Sequence, residues 1–200
     1  GIVVAVPSGP AEAPGLLRCL VGLAEAEGRV CVLVEPIALY HRKDLAAPYP
    51  PPADWSSCTP SLGETMLHSA EPSLVGEVLV ITFGNGVAMT RAALADPQIA
   101  HLAGRVDVLD LRWIVPLPAA DLLRHAADYT SVLVVDESRR SGGVSEGVVT
   151  VLVDAGYAGQ IRRVCSLDSL VPLGPAAATV LLSVDDIVQG LARSAERQAM

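Results

Sequence analysis

Three stretches of this sequence combine residue types and spacings that could do chemistry. Glu35-Pro36-Ile37-Ala38-Leu39-Tyr40-His41 places a carboxylate at the end of an apolar run, with a phenol and an imidazole close behind, which is an inventory for acid–base work. A packing or interface role competes with that reading and is the stronger of the two. Arg139-Arg140-Ser141-Gly142-Gly143 offers guanidinium groups and exposed amides to an anion. The competing reading is a loop whose charges pair with Asp136, Glu137 or a partner subunit. Phe83-Gly84-Asn85-Gly86, between an apolar run and a helical pattern, could set a phosphate on a helix N-terminus. It is neither G-x-G-x-x-G nor a P-loop and no Lys follows, so a tight turn accounts for it better. Arg112 and Glu137 close two further apolar runs. His68, His101 and His125 share no metal-ligand spacing with another His or with Cys. The chain therefore carries no complete catalytic constellation. We expect no catalytic, cofactor-binding or metal residue in it, and structural or interface roles for Glu35, Tyr40, Arg112, Glu137, Arg139, Arg140, Gly142 and Gly143.

The elements that must position these residues centre on Asp107–Val149. There a short apolar run ends in Asp110-Leu111-Arg112, a helical spacing follows at Leu122, Leu123, Ala126 and Ala127, and Ser131–Val135 is the most β-rich run of the chain. A charged loop, the Gly142-Gly143 pair and a helix over Val144–Ala155 come next. Strand, crossover helix, strand, glycine turn, helix is the grammar of a parallel α/β sheet, whose functional edge lies at the C-terminal strand ends. Glu77–Thr82, Val106–Asp110 and Ile161–Cys165 supply further strands. Pro97 ends a helix begun at Val87. Ser183 is placed to cap a last helix over Val184–Glu196, with Asp185 and Asp186 in its first turn. Residues 76–200 thus read as a three-layer α/β domain on a mostly parallel sheet.

Ahead of it, Ile2–Val6, a helix over Ala11–Glu25 stopped by Gly28, and Val30–Val34 make one βαβ unit, with Ser8 as a candidate helix cap. Two parallel strands cannot bury both their faces, and nothing later in the chain obviously completes them. We expect residues 1–42 to be the end of a domain whose front lies upstream, and to be less protected from hydrogen exchange than residues 76–200. Residues 43–75, with six prolines and little periodicity, read as a linker in which Leu62–Leu67 adds a short strand or turn.

Composition bounds the partners. A net charge of −8 excludes a nucleic-acid polyanion partner. Hydrophobic content of 51% and mean hydropathy of +0.45 come from Ala, Val and Leu without a run of membrane-spanning length. With no secretory leader, a cytoplasmic location is expected and no membrane partner. Cys19, Cys31, Cys58 and Cys165 never form C-x-x-C, and all four are expected to be buried free thiols.

Taken in order, these residues resemble a known family. Gly1-Ile2-Val3-Val4, Pro7-Ser8, Gly15-Leu16-Leu17, Glu35-Pro36 and Leu39-Tyr40 are similar to the end of the pyrimidine-binding domain in β subunits of thiamine-diphosphate-dependent 2-oxoacid dehydrogenases. Gly84, Asp110-Leu111-Arg112 with Pro116-Leu117, Val134-Val135-Asp136-Glu137, Ser141-Gly142-Gly143, Arg163-Val164, Asp168, Val171-Pro172 and Asp185-Asp186-Ile187 resemble the transketolase-type C-terminal domain that follows it. The resemblance implies the C-terminal part of an E1 component, which decarboxylates a 2-oxoacid on thiamine diphosphate and magnesium and passes the acyl group to a lipoyl-bearing E2. It also implies that this part self-associates through its C-terminal domain, meets the E1 α part or the upstream region, and helps dock E2. The family's ring-activating glutamate and its G-D-G diphosphate motif have no counterpart here, so neither cofactor binding nor catalysis is expected from this chain alone. A non-catalytic assembly module, transketolase itself and a deoxyxylulose-phosphate synthase are the rival readings.

Overall fold

A computed structural model describes residues 1–42, 61–69 and 76–196; the remainder of the expected linker and Cys58 lie outside the described residues. The larger of two sheets follows from three central strands buried on both faces, with a more polar strand at one edge. β4 (Val78–Thr82), β5 (Val106–Asp110), β7 (Ser131–Arg139) and β8 (Gln160–Ser166) are mutually parallel in the order β5-β4-β7-β8, and β3 (Met66–His68) adds antiparallel to β5. Successive side chains point to opposite faces, so the parity of each strand divides the core. Val78, Val80, Val106, Val108, Leu133 and Val135 pack on one side with Ile187, Val188 and Leu191 of α5 (Val184–Ala195). α2 (Asn85–Leu94) lies on that same side, contributing Ala93 to the core. Leu79, Ile81, Leu109, Val132 and Val134 pack on the other side against Leu122 and Ala126 of α3 (Ala119–Ala126) and Val148 and Leu152 of α4 (Val144–Asp154). This is the expected three-layer α/β architecture.

Helix ends follow their local chemistry. The Ser183 hydroxyl accepts from the Asp186 amide at 3.1 Å while the Asp186 carboxylate accepts from the Ser183 amide at 2.9 Å, a reciprocal cap for α5. By length and composition Gly174–Ala195 would suit a membrane span. It is instead a 3-10 turn at Gly174–Thr179 and then α5, separated by the Ser183 cap, with the apolar face of α5 in the core.

The N-terminal unit is β1 (Ile2–Ala5), α1 (Ala13–Glu27) and β2 (Val30–Leu33), the strands parallel in the register Ile2↔Val30 to Ala5↔Leu33. Gly28, at φ 63°, closes α1 by donating to the Ala24 carbonyl at 3.1 Å. The structure differs here from three expectations. Its sheet gains a third strand, β6 (Trp113–Val115), antiparallel to β1, so a segment from beyond β5 does join this unit. Trp113 is fully buried with Val3, Ala5, Leu16 and Leu20. Ser8 is not the α1 cap: Glu12 holds that position, and the Ser8 hydroxyl donates to the Glu12 carboxylate at 2.7 Å. Cys31 and Cys165 are free, as expected, but only half-buried, and Cys19 is buried yet disulfide-bonded, of which its spacing held no signal.

Candidate functional site

Because β4, β5 and β7 are parallel, the residues that follow them come out at one edge of the sheet, the edge where α/β proteins place ligands. After β4 the chain turns through Gly84 at φ 54°. A Cβ there would sit 2.8 Å from Val6 Cγ1 and 3.2 Å from Pro36 Cγ. Gly84 is thus required by the close approach of the N-terminal unit, in keeping with a tight turn. Asn85 Nδ2 then donates to Glu137 Oε1 at 2.6 Å, which ties the Phe83–Gly86 stretch to the candidate carboxylate near the end of β7.

The centre of the edge is a buried charge cluster that joins the two sheets. Arg112 leaves β5 in the left-handed region at φ 58°. Its amide donates to Asp110 Oδ1 at 3.0 Å, and its guanidinium reaches Glu12 Oε1 through Nη2 at 2.8 Å and Nε at 3.2 Å. The two side chains are only 10% and 13% exposed. Val6 N donates to the Arg112 carbonyl at 2.8 Å, so backbone and side chain make the same join. Although burial pushes the Glu12 carboxyl up, Ser8 and Arg112 together hold it below the usual range. Asp110 shares the same arginine but is fully buried, and its Oδ2 has no partner among the described residues. Burial first, and then the neighbouring Glu12 charge, push it up to about 7.

The sign of that shift makes a prediction. A carboxyl whose native pKa lies above its unfolded value stabilises the protein at low pH, and that stability is lost as pH rises from the unfolded pKa through the native one. For Asp110 the window runs from the ordinary 3.8 to about 7. Glu12 has the opposite sign, its contribution being lost as pH falls below its ordinary 4.5. Urea denaturation at about pH 5 and about pH 7.5 is therefore expected to show wild type losing stability across the interval and Asp110→Asn losing less. Equal slopes would remove Asp110 from the account.

The Arg139–Gly143 loop is held by bonds other than those expected. Arg139 and Arg140 do not pair with Asp136 or Glu137. Asp136 is buried, and its Oδ1 accepts from the Ser138 amide and hydroxyl at 2.8 and 2.7 Å. Its Oδ2 accepts from Ser145 N at 2.8 Å, so a strand-end carboxylate caps α4 in place of Gly143. A Cβ on Gly143 would lie 2.4 Å from Ser138 Oγ and 2.9 Å from Asp136 Oδ2, and Gly142 turns at φ 72°. Both glycines are needed for the cap. Arg139 Nε donates to the Ser141 carbonyl at 3.2 Å, and the Ser141 amide and hydroxyl hold Asp168 at 2.8 and 2.7 Å. Asp136→Ala is expected to cost about 2 kcal/mol through loss of that cap and of the Ser138 bonds, read from thermal melting; a loss under ~0.5 kcal/mol would contradict the assignment.

Glu35 accepts from Tyr40 Oη at 3.2 Å on the surface, and that bond is the main cause of a raised Tyr40 pKa. The two line a cleft of about 320 Å³ with Pro7, Pro36, Leu39 and Arg42. Sequence reasoning missed Glu12 and Asp110 as site residues. The one available sign was Asp110 in the Asp110-Leu111-Arg112 run; Glu12 carried none.

Comparison with known proteins follows this geometry. Residues 75–187, more than half of the chain, match the family model described as transketolase, C-terminal domain. The chain belongs to the transketolase C-terminal domain family. Among its relatives, a 1-deoxy-D-xylulose-5-phosphate synthase of Nitratidesulfovibrio vulgaris (strain DP4) is 33% identical over 122 residues, covering 56% of this chain and 19% of that protein. The enzyme of the same name from Rhodococcus jostii (strain RHA1) is 36% identical over 86 residues, covering 42% of this chain and 13% of that one. The chain thus matches less than a fifth of the length of these relatives. A solved structure titled split gene transketolase, inactive beta4 tetramer, superposes with a TM-score of 0.69 at 18% identity, covering 96% of this chain and 57% of that one. That likeness shows the fold, across both sheets. Within this family fold, β5, Arg112 and β6 are where the matched domain meets the N-terminal unit.

Proposed function

We propose that this chain is the C-terminal part of a thiamine-diphosphate-dependent enzyme of the transketolase class. Its role is to assemble and brace that enzyme, and the reaction is nearer to that of 1-deoxy-D-xylulose-5-phosphate synthase than to that of a 2-oxoacid dehydrogenase. The observation that carries the reading is the match to the synthases over 122 residues. The geometry supports the bracing role. At the sheet edge Arg112 is committed to Glu12 and Asn85 to Glu137, so these groups hold the fold together. The N-terminal sheet supports the idea of a part. α1 covers one of its faces, while the other leaves Ile2, Val30 and Val32 exposed, Val30 by 62%. A sheet apolar on both faces is built to be covered twice, and the upstream part of a pyrimidine-binding domain is the proposed cover, with the division at residues 42 and 76 as part of the same reading.

The residues present do not fit the cofactor by themselves. A diphosphate with magnesium needs clustered donors for the anion and carboxylates for the metal. Among the described residues no three His, Cys, Asp or Glu converge on one point. The junction instead sets two carboxylates around one committed arginine. The cofactor is therefore assigned to other segments, self-association through the C-terminal domain belongs to the proposal, and a lipoyl-bearing partner enters only under the dehydrogenase reading.

The test combines this chain with a segment carrying the diphosphate- and pyrimidine-binding residues. Formation of 1-deoxy-D-xylulose 5-phosphate and acyl transfer to a lipoyl domain are assayed in parallel. The proposal expects the sugar phosphate; acyl transfer alone would return the dehydrogenase reading.

A further inference from the structure

The net charge of the chain is −8, yet four guanidinium groups gather around one edge of the larger sheet with no carboxylate in ion-pair contact. Arg162 and Arg163 stand on β8, the last strand of the larger sheet among the described residues. Successive residues of a strand face opposite ways, so Arg162 lies on the α5 side with Val164 and Arg163 on the α4 side. Arg193 comes from the last turn of α5, and Arg140 from the loop after β7. Arg140, Arg163 and Arg193 line a cleft of about 470 Å³ floored by Val164, Val180 and Leu181. A smaller hollow against Leu133 and Gly190 adds Arg162 and shares Arg163, Val164 and Arg193 with it.

None of the four arginines forms an ion pair among the described residues. Arg163 Nη1 donates to the Arg140 carbonyl at 3.2 Å and to Ser145 Oγ at 3.5 Å, and Arg193 Nη2 to Gln189 Oε1 at 3.0 Å, which leaves other nitrogens of both forks available. Arg162 Nε is buried without a partner. Asp186 also lines the larger cleft, where it takes the Ser183 amide and hydroxyl, and Asp168 takes those of Ser141; neither is within ion-pair distance of these arginines. Three guanidinium groups against one carboxylate leave an excess of positive charge whose cost a bound anion would recover. A volume of about 470 Å³ lies in the range of small-molecule sites, and planar forks with an apolar floor suit a phosphate group on a compact body.

We propose that the cleft along the edge of β8, flanked by α5 and by the loop after β7, binds a small phosphate-bearing anion. The site is separate from the Arg112–Glu12 junction and does not rest on the enzyme class proposed above. Its test uses this chain and inorganic pyrophosphate as the probe, followed by calorimetric titration at low salt and by the Nε–Hε resonances of the arginines. Saturable binding at one site is expected, with Arg140, Arg163 and Arg193 resonances shifting and Arg112 unmoved. Arg140→Gln and Arg193→Gln change exposed residues, so melting temperatures should hold while each weakens binding about tenfold and the pair abolishes it. Absence of saturable binding to wild type would overturn the proposal. So would full affinity in the double variant, or shifts centred on Arg112.

Discussion

Arg112→Ala is expected to lower the stability of this protein by about 3 kcal/mol or more, the cost of stranding one partner of a buried ion pair. Glu12 is 13% exposed and receives two bonds from the guanidinium and one from the Ser8 hydroxyl. With the arginine gone it faces Asp110 in a buried junction with no compensating charge. Double-mutant denaturation separates pair from packing. Glu12→Gln should recover part of the loss in the Arg112→Ala background, a coupling of about 1–3 kcal/mol. The backbone adds a second discriminator. Arg112 sits at φ 58°, where a side chain is strained by about 1–2 kcal/mol and glycine is not. Arg112→Gly is therefore expected to be milder than Arg112→Ala. A loss below ~1 kcal/mol for the alanine variant would mean that the pair behaves as a solvated surface bridge.

The second large effect is at the neighbouring position. Trp113 is fully buried and is the largest side chain in the N-terminal core, where it meets Val3, Ala5, Leu16 and Leu20. Truncation to alanine is expected to cost about 3–5 kcal/mol. The loss should be uneven. Trp113 belongs to β6, which pairs with β1, whereas the larger sheet has its own two-sided core. Hydrogen exchange should show β1, α1 and β2 losing protection while β4, β5 and β7 keep theirs. In wild type the same measurement tests whether residues 1–42 are less protected than residues 76–196. Uniform loss across both sheets in Trp113→Ala would contradict the division into two cores.

Much of the larger domain was legible because its information is local. Val78–Ile81 and Val132–Val135 are apolar at every position, which only a strand covered on both faces requires, and Ser183 with Asp186 carries a cap within four residues. What was not legible depends on contacts between distant residues. Glu12 and Arg112 are 100 positions apart, and a bond of that separation leaves no periodic trace. β6 is three residues long beside a proline, below the length at which alternation means anything. β7 runs to Arg139, through charged residues that composition assigns to a loop, because its end leaves the sheet core and carries the Asp136 cap. The arginines of the cleft come from β8, α5 and the loop after β7, and no single window contains them.

The central proposal is that this chain is part of a thiamine-diphosphate-dependent enzyme and does not hold that cofactor by itself. Calorimetric titration with thiamine diphosphate and magnesium tests it most directly, first with the chain by itself and then with a segment carrying the diphosphate-binding domain. The account predicts no magnesium-dependent thiamine diphosphate binding to the chain alone and saturable binding once the partner segment is present. Tight, magnesium-dependent binding to the chain by itself would contradict it.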